Sequence, residues 1–367
     1  MMMALFTVLF IGTFALSVLL TVTARLVALR TGFVAHPAQD RYHTRTVPLA
    51  GGAAIFWTIT LTIIAAILAV KFLLEPGRLS WLGETVAVHT AGFIDRIPHL
   101  LAVLFFALVL HLLGLWDDRK RLGPFFKLAV QFAIAFGMAF IADIRVELFI
   151  HSKMITSLLS AFWIVLIINA FNFLDNMDGL SAGIALIASA VLLSVAAPSG
   201  QVFVSAMAVI FIAALAGFLT LNFPPAKIFM GDAGSLIVGL FVALLTLRTT
   251  YYQQAASGRI YAIFMPLVIM AVPLYDFVSV TVLRIVQGKS PFIGDTQHFS
   301  HRLKKRGLSD LQTVLTLYLA TLCTGIGAVL LRYVAPVGAV LIFAQTLMIL
   351  VVIAILEMSA SYTKNEN

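Results

Sequence analysis

A handful of polar residues in this 367-residue chain have the types and spacing to handle a phosphorylated ligand. Asp117 and Asp118 are adjacent in WDDRKRLGPFFK (116–127), which also supplies Lys127. Neighbours on a helix point about 100° apart, so the two carboxylates need not share one task; a solvated helix end is the plainer alternative. Asn169, Asn172, Asp175 and Asp178 recur every three residues in NAFNFLDNMDG (169–179). If the helix runs on through Asp178, they form one polar stripe able to hold Mg²⁺ or ribose hydroxyls; the alternative is an Asp-Gly turn at 178–179. In KIFMGDAGS (227–235), Asp232 stands between two glycines. There a carboxylate can meet a metal close to a helix N-terminus that also favours phosphate, or can simply cap that helix. His298, His301 and Arg302 sit in a basic segment with Lys304, Lys305 and Arg306, which suits an anion better than Zn²⁺. Asp276 lies inside an apolar run, where a carboxylate needs a partner; Arg284, two turns on, is the candidate for a structural pair.

The elements that must position these residues follow from composition. The chain is 61% hydrophobic and only 11% charged, against about 25% in a soluble domain, and its mean hydropathy is +1.05. A soluble globule could not cover itself with so few charges. The single cysteine, Cys323, excludes a disulfide scaffold, and GxxxxGK[ST] is absent. Apolar runs lie at 4–27, 52–74, 99–116, 123–142, 154–171, 180–197, 202–222, 234–250, 260–285, 310–331 and 337–356. The chain is therefore expected to be one all-α, polytopic membrane helix bundle of about eleven transmembrane helices over 1–367. Pro266 and Pro273 predict a kink in the ninth, and 75–98 reads as a long connection. Of the 24 Lys and Arg, 16 fall on the side reached after the first helix. That side is expected to be cytoplasmic, with the N-terminus outside and the C-terminus cytoplasmic; a count of ten would move only the C-terminus. All the residues above except Asp276 then fall at this one face. The pattern points to a cytoplasmic-face site for a phosphorylated substrate with Mg²⁺, and to a lipid as second substrate. A secondary transporter would instead gather its polar residues at the bilayer midplane. The basic segment at 302–306 is explained by topology, so no nucleic-acid partner is implied.

Six segments, in order, resemble the polyprenyl-phosphate N-acetylhexosamine-1-phosphate transferases. They are PLAGG (48–52), WDD (116–118) with Lys127 and Gln131 downstream, NAFNFLDNMDGL (169–180), KIFMGDAGS (227–235), PLYD (273–276) and QHFSH (297–301). The likeness spans roughly 36–303. It implies that a polyprenyl phosphate, undecaprenyl phosphate in bacteria, attacks the β-phosphorus of a UDP-N-acetylhexosamine and expels UMP in the bacterial inner (cytoplasmic) membrane. It implies Mg²⁺, with Mn²⁺ as a substitute, and is compatible with a homodimer. Carried over residue by residue, it assigns Asp117 and Asp118 to the lipid phosphate and Lys127 to the catalytic centre. Asp232 becomes the metal aspartate, with Asn172 on metal or diphosphate. Asp175 and Asp178 fall near nucleoside and metal, Asn222 and Phe229 near uracil, and His298, His301 and Arg302 on the sugar diphosphate; Asn169 extends the substrate-binding stripe. Relatives commonly carry H-x-H-H in the last motif, where this chain has Ser300 before His301 and Arg302 after it. VPLAGG and the shorter His segment argue against a peptidoglycan precursor. UDP-GlcNAc is the default donor, with UDP-GalNAc or a 6-deoxy-HexNAc as alternatives.

Overall fold

A computed structural model describes residues 2–35, 46–75, 84–146, 150–251, 259–290 and 298–358. Parts of three segments singled out above, 36–45, 291–297 (with Gln297) and the C-terminal tail, lie outside them. The order is α1 (Met2–Thr31), β1 (Val34–Ala35), β2 (Val47–Pro48), α2 (Gly51–Ala69, continued by a π turn over Val70–Leu74), α3 (Glu84–Arg119), α4 (Pro124–Ile141), α5 (Lys153–Leu174), α6 (Leu180–Ala196), α7 (Val202–Asn222), α8 (Asp232–Arg248), a 3₁₀ turn (Ile260–Phe264), α9 (Met265–Ile269), α10 (Ala271–Val286), α11 (Phe299–Lys304), α12 (Asp310–Leu330) and α13 (Pro336–Met358). β1 and β2 pair antiparallel over two residues each.

Every apolar run is helical, as its length requires. Among the described residues, eight helices are long and apolar enough to cross a bilayer, or nine if α9 and α10 form one bent span. α6 and α8 have 17 residues each, about one turn short of a full crossing. The chain is a multi-pass membrane protein, while the count of eleven exceeds what these helices establish. Two expectations change. The stretch read as a connection at 75–98 is largely helix, because α3 starts at Glu84 and passes through Pro98. α5 ends at Leu174, so the stripe from Asn169 does not continue to Asp178. The chain turns instead through Gly179, whose φ of +71° is costly for any other residue, and re-enters as α6. The kink in the ninth run is present: α9 and α10 meet at 61°. Pro273 lacks the N–H that would bond the Ile269 carbonyl, so the helix breaks at Met270.

α8 is the core of the bundle. Its residues from Ala233 to Thr246 are all buried, which an apolar helix tolerates only when surrounded by others. α1, at the edge, is mostly exposed and presents apolar side chains outward. It meets α7 through small residues: Ser17 Oγ donates to the Ala214 carbonyl at 2.6 Å. Close approach also fixes the start of α8. A Cβ on Gly52 would lie 2.2 Å from the backbone nitrogen of Gly234, so α2 and α8 touch backbone to backbone there.

Candidate active site

Two of the sequence segments zip together beside the α8 N-terminus. Phe229 N donates to Pro48 O at 2.8 Å, Gly51 N to Phe229 O at 2.9 Å and Gly52 N to Met230 O at 2.9 Å. PLAGG thus acts as a backbone brace for the segment that delivers Asp232.

The C-terminal ends of α3 and α5 and the N-terminal ends of α4 and α8 converge on one ammonium group. Lys127 Nζ donates to Asp117 Oδ2 at 2.7 Å and to Asp232 Oδ2. Pro124 opens α4 at a position that needs no N–H, which sets Lys127 in the first turn. Asp117 Oδ1 accepts from Leu122 N at 2.7 Å, so both its oxygens are engaged. Asn172 Nδ2 donates to Asp232 Oδ1 at 3.1 Å and to Ser235 Oγ at 2.9 Å. One turn back, Asn169 donates to Gln131 Oε1 at 2.7 Å.

Asp118 faces the same helix differently. Its Oδ1 accepts from Asp232 N at 2.8 Å and its Oδ2 from Ala233 N at 3.0 Å. It is an N-cap supplied by another helix, filling two of the four unpaired donors at the start of α8. His111, two turns earlier on the same face of α3, bonds the Ala233 carbonyl at 3.0 Å through Nδ1 and stacks on Phe56. α3 therefore grips the first turn of α8 from both its amide and its carbonyl side. Sequence reading missed His111, although a histidine seven residues before Asp118 in an apolar run was a visible signal.

A second cluster adjoins the first through the end of α5. Asp276 is fully buried and accepts from His298 Nδ1 at 2.9 Å and Phe299 N at 3.0 Å. Asp276 thus has the partners its burial requires, His298 and the Phe299 amide, while Arg284, the partner expected from the sequence, lies over the Phe173 ring at 5.1 Å. A carboxylate only accepts, so the His298 proton sits on Nδ1 and Nε2 is left for other work. The His298 ring meets Phe173 edge-on, and Ser300 Oγ donates to Asn176 Oδ1 at 2.6 Å. Arg302 Nη2 reaches Ser279 Oγ at 3.0 Å. Burial, then the neighbouring His298, pushes His301 down to about 4, so it is neutral at pH 7.

The remaining predicted residues sit behind this surface. Asn222 is buried, accepting from Gly179 N at 3.1 Å and donating to Ile228 O at 2.9 Å, so its amide ties the turn before α6 to the loop before α8. Asp178 Oδ2 accepts from Ala226 N at 2.8 Å and fastens the same loop. Asp175 closes the end of α5 through its backbone. Phe229 is partly buried.

Three carboxylates (Asp117, Asp118 and Asp232) surround a single ammonium. The convergence of Asp117 and Asp232 on one point suits a divalent cation. No three His, Cys, Asp or Glu side chains form a preformed metal cage among the described residues. Mg²⁺ accepts that situation, since it usually takes one or two protein carboxylates and fills its shell with water and substrate phosphate. An apolar groove of about 620 Å³ lies along one face of α4, lined by Phe125, Leu128, Phe132, Ala133 and Phe136, with Leu158 of α5 at its side.

A bundle that gathers such a cluster at one end suits a membrane enzyme acting on a charged group. Residues 100–250 match the model of glycosyl transferase family 4, and the chain belongs to that family, the polyprenyl-phosphate N-acetylhexosamine-1-phosphate transferases. It is 30% identical over 335 residues to a probable undecaprenyl-phosphate N-acetylglucosaminyl 1-phosphate transferase of Bacillus subtilis, covering 88% of this chain and 84% of that one. It is 31% identical to a decaprenyl-phosphate N-acetylglucosaminephosphotransferase of Mycobacterium tuberculosis (80% and 74% covered). The undecaprenyl-phosphate alpha-N-acetylglucosaminyl 1-phosphate transferase of Escherichia coli K12 is 28% identical (88% and 83%).

Proposed function

We propose that this protein transfers N-acetylglucosamine-1-phosphate from UDP-GlcNAc to undecaprenyl phosphate, releasing UMP and forming undecaprenyl-diphospho-GlcNAc. The single observation that carries this is Lys127, held between Asp117 and Asp232 where the helix ends meet, in a chain of this family. The lipid phosphate would lie against Lys127 with its prenyl chain along α4 and α5. The proposal includes eleven spans, and a cytoplasmic site in the bacterial inner membrane with the N-terminus outside, an orientation supported by the 16 basic residues on one side. A homodimer belongs to the same proposal on family likeness alone.

The chemistry needs little covalent help. An oxygen of the lipid phosphate attacks the β-phosphorus, the bond to the UMP oxygen breaks, and the electron pair leaves with UMP. A phosphate monoester has a second pKa near 6, so the nucleophile is already largely ionised at pH 7. A strong base is unnecessary, in keeping with an Asp117 whose two oxygens are both occupied. Catalysis then rests on positioning and charge neutralisation. Lys127 supplies fixed positive charge where the two phosphates meet. His298, anchored through Nδ1 to Asp276, would donate to the diphosphate from Nε2–H as an imidazolium, and Arg302 adds a further cation. Mg²⁺ (or Mn²⁺), when bound, would be held by Asp232 and Asp117 with the Asn172 amide oxygen, and would neutralise the diphosphate. Asp175, Asp178, Asn169, Asn222 and Phe229 shape the nucleoside side.

The test is a transfer assay on detergent-purified protein with undecaprenyl phosphate and UDP-GlcNAc, reading UMP and lipid-linked sugar. Product that disappears with EDTA, returns with Mg²⁺ and is absent in Asp232→Asn is the expected result. Turnover only with UDP-GalNAc or a 6-deoxy donor keeps the chemistry and changes the sugar; Ser300, in place of a family histidine, keeps that second reading open. No turnover with any donor in folded protein overturns the proposal.

A further inference from the structure

Three residues on one face of α3 meet the first turn of α8. His111, Gly114 and Asp118 stand at i, i+3 and i+7, which puts them in one stripe about 10 Å long. At its outer end Asp118 accepts from the amides of Asp232 and Ala233. In the middle, a Cβ on Gly114 would lie 2.6 Å from Ala233 Cα and 2.7 Å from the Asp232 carbonyl oxygen, so the two backbones touch. At the inner end His111 holds the Ala233 carbonyl at 3.0 Å. From the other side, a Cβ on Gly52 of α2 would lie 2.6 Å from the Ala233 carbonyl carbon. Ala233 is thus wedged between two helices, and α3 holds both its N–H and its C=O. One anchor beside a backbone contact would leave α8 free to roll about it. Two anchors, on opposite sides of that contact, fix the rotation. Asp232 is the preceding residue, so the direction of its carboxylate follows that rotation.

Packing does not account for a histidine at 111. The side chain is 2% exposed and stacks on Phe56 with ring centroids 4.4 Å apart, a contact that phenylalanine would make as well. A carbonyl only accepts, so the His111 proton is on Nδ1 and Nε2 carries a lone pair. Nε2 is buried with no hydrogen-bond partner among the described residues, which is destabilising. What histidine adds over phenylalanine is the Nδ1–H directed at Ala233.

We propose that His111 is a positioning residue for the transfer reaction: its Nδ1–H sets the rotation of the first turn of α8 and so aims the Asp232 carboxylate at the reacting phosphates. The inference rests on the transferase reading and adds to it a residue that touches neither substrate.

The test compares kcat, both KM values and thermal midpoints of the parent, His111→Asn and His111→Phe, as full-length, monodisperse protein in detergent with undecaprenyl phosphate and UDP-GlcNAc. Asn Nδ2 lies as many bonds from Cα as His Nδ1, so His111→Asn keeps the donor and loses the ring. His111→Phe keeps the ring and loses the donor. In His111→Phe, Asp118 still holds the amide side, so kcat should fall about tenfold, part of the 10²-fold that a full 1 Å displacement costs. Both KM values should change little, since the interaction lost matters in the transition state. His111→Asn should keep most of the parent turnover, although its thermal midpoint should be the lower of the two because of the hole left beside Phe56. A purely structural role gives the opposite order, with turnover following the thermal midpoint. His111→Gln, whose amide is one carbon farther out, should behave as His111→Phe does, and takes its place in the comparison if the phenylalanine protein does not fold. An active parent with an equally active His111→Phe would overturn this inference alone, as would His111→Asn as slow as His111→Phe in folded protein. A folded parent that turns over no donor would overturn the transferase reading and this inference with it.

Discussion

Asp118→Asn and Asp118→Ala separate two jobs that a carboxylate next to Asp117 could do. In the structure, Asp118 accepts from the amides of Asp232 and Ala233 at 2.8 and 3.0 Å. A hydrogen bond to a charged group contributes about 1.5–3 kcal/mol, and loss of an N-cap costs about 0.5–2 kcal/mol. The two bonds share one cap and lie at a partly open surface, so Asp118→Ala should cost about 2–4 kcal/mol of stability. It should also release the first turn of α8, and with it the Asp232 carboxylate. A displacement near 1 Å at a reacting centre costs about 10²-fold in rate. Asn is itself a good cap and keeps one acceptor oxygen. We therefore expect Asp118→Asn to stay within about tenfold of the parent turnover, while Asp118→Ala falls by about 10²-fold or more. The assay is UMP release at saturating UDP-GlcNAc and undecaprenyl phosphate, on protein matched for elution volume and thermal midpoint. Were Asp118 a proton acceptor, the amide would be as inactive as alanine. Equal loss in the two folded variants would refute the capping argument.

Three other outcomes follow from the geometry. Asp117→Asn should lose less turnover than Asp232→Asn, because the lipid phosphate is already ionised while Asp232 holds both Lys127 and Asn172; comparable losses in folded protein would defeat this order. Ala133→Trp, which projects into the groove along α4, should raise KM for undecaprenyl phosphate several-fold and leave KM for UDP-GlcNAc unchanged; the reverse pattern would move the prenyl chain elsewhere. His301 titrates near 4 when folded and near 6.5 when unfolded, so the unfolded chain binds more protons between those values. Its contribution is complete above pH 6.5 and is lost as pH falls toward 4, by at most about 3 kcal/mol. Thermal midpoints recorded from pH 7 down to 4.5 should fall less steeply in His301→Gln, and parallel curves would show that His301 is not responsible.

The helical bundle was legible because an apolar run of twenty residues has few alternatives in a chain with so little charge. The gathering of Asp117, Lys127, Asn172 and Asp232 at one end was legible too, since topology alone sends those helix ends to the same side. What Asp118 does was not. Its partners are 114 and 115 residues away, and periodicity reports only neighbours on the same helix. The end of α5 was misjudged for a related reason. A three-residue spacing persists through Asp178, but Gly179 takes a left-handed conformation that only tertiary contacts, such as the bond from its N–H to Asn222, make worthwhile. Asn222 and Asp178 read as ligands from their chemistry, yet both spend hydrogen-bonding capacity on the loop that delivers Asp232.

The separation of the partners along the chain has a consequence for biogenesis. Lys127 lies ten residues from Asp117 but 105 from Asp232. The α3–α4 hairpin therefore enters the bilayer with its ammonium already neutralised by a carboxylate of its own. At about 5–20 residues per second, α8 emerges from the ribosome roughly 5–20 s later. Through that interval Asp118 waits without α8, at the membrane surface. The polar cluster around Lys127 thus closes only once α8 is in place.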